Sequence, residues 1–117
     1  MFKALPLLLL LGCAEHPYTW GDTAQAFSES YCSGLVACGA LAPEREERCV
    51  EHNKWHMCDA QATCEIEVNE AAAQDALDAC DAALQGLENQ ACFLLGFYGV
   101  TPPECSGIFE IRPETPK

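Results

Sequence analysis

The chain has 117 residues, half of them apolar, and eighteen acidic side chains stand against six basic ones for a formal charge of −12. A length of this order holds one small domain with a modest core, so covalent staples are expected. A surface this negative repels phosphate backbones and anionic headgroups, which argues against nucleic acid as a partner and against electrostatic adsorption to membranes.

Lys3, the apolar run from Leu7 to Leu11, Gly12 and Cys13 have the layout of an export signal. The run is far shorter than the roughly 20 residues a bilayer-spanning helix needs. Leu10-Leu11-Gly12-Cys13 resembles the lipobox of bacterial lipoproteins, which implies cleavage before Cys13 and acylation of its thiol. Residues 1–12 are then a signal peptide and residues 13–22 a tether. Each buried acyl CH2 contributes about 0.8 kcal/mol, and more than one chain gives stable anchoring. Ala14 stands where an inner-membrane retention Asp would be, which favours the outer membrane. The competing reading is cleavage after Ala14, giving a freely secreted effector or inhibitor. Once Lys3 leaves with the signal, five basic residues face eighteen acidic ones and the mature charge is −13.

Setting Cys13 aside, eight of the nine cysteines remain: Cys32, Cys38, Cys49, Cys58, Cys64, Cys80, Cys92 and Cys105. An even number in an exported chain predicts a disulfide framework, each bridge contributing about 2–4 kcal/mol. The alternative of metal-bound thiolates lacks the paired CxxC knuckles that such sites use.

In chain order, the tether carries Pro17 and Gly21 and shows no periodicity; Tyr18 and Trp20 have two places open to them, the membrane interface or the domain surface. A first helix starts from an N-cap at Asp22 or Thr23, with Ala24, Phe27, Tyr31, Leu35 and Cys38 on one apolar face and Gly39 behind it. Pro43 opens a second helix running to about Met57 or Cys58. Its first turn is acidic, Glu44 and Arg48 are spaced as an i,i+4 pair, Val50 and Met57 face inward and Trp55 outward. Residues 59–68 form a loop pinned by Cys64, with residues 65–68 extended. Asn69 caps a third helix from Glu70 to about Leu87, whose buried stripe is Leu77, Cys80, Leu84 and Leu87. Asp75, Asp78 and Asp81 make a solvated face of it, since calcium loops set their ligands on a tight turn. Residues 91–99 form a short fourth helix that packs on the bundle, Pro102-Pro103 stop it, and Cys105 ties the end down. The fold class is therefore all-α, a small disulfide-stapled bundle of three to four helices over residues 23–111, with residues 112–117 a disordered tail.

Helical phase bears on the bridges. Cys49 and Cys58 are nine residues apart, half a turn out of register, so they reach different neighbours. That spacing departs from the twin-cysteine helical hairpins of the CHCH family. Cys38 with Cys49, across Pro43, and Cys80 with Cys92, across Gly86, are the expected local pairs; the remaining four cysteines allow three pairings.

Among residues that carry chemistry, His52 and His56 share one face of the second helix, and Asp59 or His16 is a possible further metal ligand. The spacing resembles the zinc-protease helix, but Asn53-Lys54 replace its Glu-x, so the general base is missing. No serine lies in a nucleophile elbow and no glycine-rich phosphate loop is present, so the chain is not expected to be an enzyme or to need a cofactor. Phe93 to Val100, together with Trp55, raise the question of an exposed docking patch. A domain this small is expected to use those side chains in its core.

Taken together, the lipobox, the Cys-x5-Cys-Gly helix end at Cys32, Cys38 and Gly39, the Asp-Ala-Cys helix at Cys80 and the Pro-Pro-x-Cys ending at Cys105 resemble the small cysteine-rich lipoproteins of myxobacteria and their relatives. The resemblance implies location and architecture and supplies no activity. The sequence thus points first to a non-catalytic interaction or structural module, held to the bacterial envelope by lipid on Cys13 and meeting a protein partner there. Metal binding through His52 and His56 and free secretion are the alternatives.

Overall fold

A computed structural model describes residues 16–114; the signal, Cys13 and the cut site after Ala14 lie outside the described residues. The described chain is all-α with five helices: α1 Trp20–Ala37, α2 Glu46–Met57, α3 Glu70–Gln85, α4 Asn89–Tyr98 and α5 Ser106–Glu110. Short 3-10 turns at Pro43–Arg45 and Pro103–Cys105 lead into α2 and α5. The fifth helix exceeds the expected three to four. α4 ends at a left-handed Gly99 (φ 66°), before the Pro102-Pro103 expected to stop it, and Pro103, with its φ preset and no N–H to lose, opens the next turn.

α1 is the central element and packs against α2, α3 and α4. It begins at Trp20, earlier than its apolar periodicity indicates, because Thr19 and Asp22 form a reciprocal capping box. Asp22 is thus the third helical residue and not the cap. Every N-terminal donor has a partner: Thr19 N donates to Asp22 Oδ2 (2.9 Å), Trp20 N to Ile66 O (2.8 Å), Gly21 N to Cys64 O (2.8 Å), and Asp22 N to Thr19. The extended piece at residues 65–68 supplies one of these acceptors, Ile66 O, with Cys64 just before it supplying another, and an antiparallel bridge joins Thr19 to Glu67. A side chain at Gly21 would bring its Cβ to 2.8 Å from Cys64 O, so only glycine fits.

Trp20 is 0 % exposed, and its indole Nε1 donates to Met57 O at 2.7 Å, closing a carbonyl that the end of α2 leaves open. The expected tether therefore ends before Thr19, and of its two open places Trp20 takes the domain. Around Trp20 the core gathers Ala24, Phe27 and Leu35 from α1, Met57 from α2, Leu84 from α3, Leu95 from α4 and Ile108 from α5. Phe109 stacks edge-on against Phe27 at 5.7 Å. α3 is capped by Asn69, whose Oδ1 accepts from Ala72 N, and it crosses α1 where Gly34 faces the Leu84 carbonyl.

All eight cysteines of the domain are paired: Cys32–Cys49, Cys38–Cys92, Cys58–Cys64 and Cys80–Cys105. Cys49 and Cys58 do reach different neighbours, but both expected local pairs, Cys38–Cys49 and Cys80–Cys92, are replaced. Cys32 and Cys38 are six residues apart, about 120° out of phase on α1. The first therefore meets α2, and the second, at the C-terminal end of α1, meets α4.

The turn after α2 is unusual. Asp59, Ala60 and Gln61 all have positive φ (49°, 55° and 77°), a left-handed turn built without glycine. Such residues cost about 1–2 kcal/mol each. The Cys58–Cys64 bridge closes the turn, and Arg112 reaches it from the chain end through Asp59 Oδ1 (3.0 Å) and His56 O (3.4 Å). The expected disordered tail is thus bonded to the domain at its first residue.

Candidate functional site

Four surface features are candidates. The first is the histidine pair. His52 and His56 lie ring to ring on α2 with centroids 4.5 Å apart, as their spacing requires. The further ligands considered are engaged elsewhere: Asp59 binds Arg112, and His16 Nε2 lies 3.8 Å from Asp22. Among the described residues no group of three or more His, Cys, Asp or Glu side chains converges in the manner of a metal site.

The second is an open groove of about 950 Å³ among α1, α2 and α3. Glu29, Glu46, Glu47, Glu51 and Asp81 line it without a basic residue, and Ser30 Oγ donates to Asp81 across it. Val50, expected in the core, lies along this groove and is only half-buried.

The third is the outer face of α4. Cys92 and Leu95 turn inward, and Tyr31 Oη of α1 donates to Leu95 O at 3.5 Å. Burial pushes the Tyr31 phenol above its ordinary value. On the opposite side Phe93, Phe97 and Tyr98 stand 50 %, 75 % and 69 % exposed, with Val100 beside them. The rings form their own cluster: Phe93 lies 4.8 Å from Phe97 and 5.8 Å from Tyr98, centroid to centroid. The expectation that these side chains fill the core is therefore overturned. α4 is apolar on both faces, and the domain has only one side to offer it. Trp55 is also exposed, on the separate α2 surface next to His56.

The fourth was not singled out in the sequence. Arg45 at the end of the Pro43–Arg45 turn and Arg48 and His52 of α2 follow one another at three- and four-residue spacing and rim a cleft whose floor is apolar. The stripe is visible in the sequence. Its floor is not, because Tyr31, Leu35 and Leu41 come from α1 and the connection after it.

No helix among the described residues is long and apolar enough to cross a membrane. Four bridges in a single small domain mark one that matures outside the cytoplasm. No protein-family model, curated protein or solved structure matches the chain.

Proposed function

We propose that this protein is a non-catalytic interaction module of the bacterial envelope, lipid-anchored through Cys13, and that the outer face of α4 is its contact surface. The exposed cluster of Phe93, Phe97 and Tyr98 carries the reading. Aromatic side chains give interfaces most of their binding energy, and a domain of this size gains nothing by leaving three of them in water. The anchoring part rests on the lipobox at Leu10-Leu11-Gly12-Cys13.

Geometry makes the two parts compatible. α1 has eighteen residues and is about 27 Å long at 1.5 Å per residue. The anchor enters at its Trp20 end and α4 is bridged to its Cys38 end, so the aromatic face would stand away from the bilayer surface when α1 is upright.

The test has two arms. Intact mass from the host membrane fraction is expected to begin at Cys13 with acyl chains attached; a soluble species beginning at Glu15 overturns the anchor. A photoreactive phenylalanine at position 97 is expected to cross-link a discrete envelope protein, whereas the same group at Asp75 on exposed α3 does not. Indistinguishable patterns from the two positions overturn the contact surface.

A further inference from the structure

α2, together with the turn that leads into it, is divided along its length. Glu46, Glu47 and Glu51 line the acidic groove, whereas Arg45, Arg48 and His52 line a cavity of about 400 Å³ on the other side. The floor of that cavity is Tyr31, Leu35 and Leu41, and the Cys32–Cys49 bridge fixes the distance between α1 and α2 across it. It is an open cleft whose size falls in the range of small-molecule sites, with an apolar floor beside Arg45, Arg48, His52 and Asn53.

The charge distribution is what calls for explanation. No carboxylate lines this cavity, although the chain has eighteen. The described residues include four Lys and Arg side chains, and two of them, Arg45 and Arg48, stand here. Neither forms an ion pair among the described residues. Two guanidinium groups in no ion pair among the described residues, beside an apolar floor, form a receptor for an anion with an apolar body. The net charge of −12 favours an anion of low charge, because each further negative charge meets the repulsion of the whole chain.

We infer that this cavity binds a small amphiphilic monocarboxylate. Its hydrocarbon part packs on Tyr31, Leu35 and Leu41, and its carboxylate accepts hydrogen bonds from Arg45 and Arg48. Asn53 lines the edge with its Nδ2 already donating to Ser28 Oγ at 2.9 Å, so the two arginines are the donors to the carboxylate. The inference does not depend on the α4 contact surface or on the lipid anchor.

Calorimetric titration of the folded, oxidised domain with sodium decanoate, kept below micelle formation, tests it. One decanoate per chain is expected, with decyltrimethylammonium of the same chain length at least about tenfold weaker. Arg45→Gln combined with Arg48→Gln is expected to lower decanoate affinity about tenfold, while Lys54→Gln, a cation outside the cavity, leaves it unchanged. Leu41→Trp, which fills the cavity from its half-buried edge, removes binding with the melting temperature preserved. Amide shifts on adding decanoate are expected at Tyr31, Leu41 and His52. No binding by the native domain, equal affinity for the cationic amphiphile, an unaltered affinity in the double arginine variant, or shifts centred on Phe97 would each overturn the inference.

Discussion

The two ends of α1 are held in different ways. At the Trp20 end the helix is closed by backbone: four donors are paired, the indole is buried and the 64–68 segment lies against them. At the Cys38 end the neighbour is α4, joined by one disulfide and by Leu95, with its aromatic side chains turned outward. The first end spends its large side chains on stability. The second substitutes a covalent bond for packing and so leaves an apolar face available. A disulfide can release a small domain from burying everything it owns.

The contrast can be broken most severely at its first end. Trp20→Ala is expected to cost about 3–5 kcal/mol, removing a fully buried ring and leaving Met57 O without its donor; the denaturant midpoint measures it. At the second end, replacing Cys38 and Cys92 together by Ser is expected to cost about 3 kcal/mol. Hydrogen exchange distinguishes the two ends, since α4 amides lose protection in that variant while the Trp20 indole stays protected. If the whole domain opens together, the ends are one cooperative unit.

Smaller changes sharpen the comparison. Ala60→Gly relieves one residue of the left-handed turn and is expected to raise stability by about 1 kcal/mol, read from the same midpoint. Phe97→Ser is expected to leave stability within about 0.5 kcal/mol, because that ring is three-quarters exposed, and to weaken cross-linking from a photoreactive group at Phe93, as the proposed contact surface requires. The smallest effect concerns Tyr31. Its phenol is raised by burial, so the folded state holds the proton longer than the unfolded one. Stability is therefore complete below the ordinary tyrosine value, about 10, and falls as pH rises from there toward the folded value. Tyr31→Phe is expected to remove that slope from the alkaline limb of the stability curve.

What the sequence discloses follows the range of the interactions. Asn69, Gly39 and the helix periods are local signals, and they mark α3 and the end of α1 where the structure has them. The start of α1 was also written locally, as Thr19-x-x-Asp22, but the capping box is easily mistaken for a cap at its fourth residue. The bridges were less legible. Helical phase separates Cys32 from Cys38, yet which neighbour each one meets depends on how α2 and α4 are laid on α1. The same holds for the candidate sites. His52 and His56 are adjacent because one helix makes them so, whereas the cavity under Arg48 and the exposure of Phe97 exist only after the helices have packed.

The bridge order has a consequence for biosynthesis. Of the four, only Cys58–Cys64 joins cysteines that are neighbours along the chain. An oxidase that coupled thiols in the order they left an export channel would make Cys32 with Cys38, Cys49 with Cys58, Cys64 with Cys80 and Cys92 with Cys105, and not one of those bonds is native. Under such an oxidase, maturation would pass through thiol–disulfide exchange, on a timescale of seconds to hours that an isomerase sets. The yield of this small domain would then depend on the shuffling capacity of its compartment more than on the speed at which its helices form.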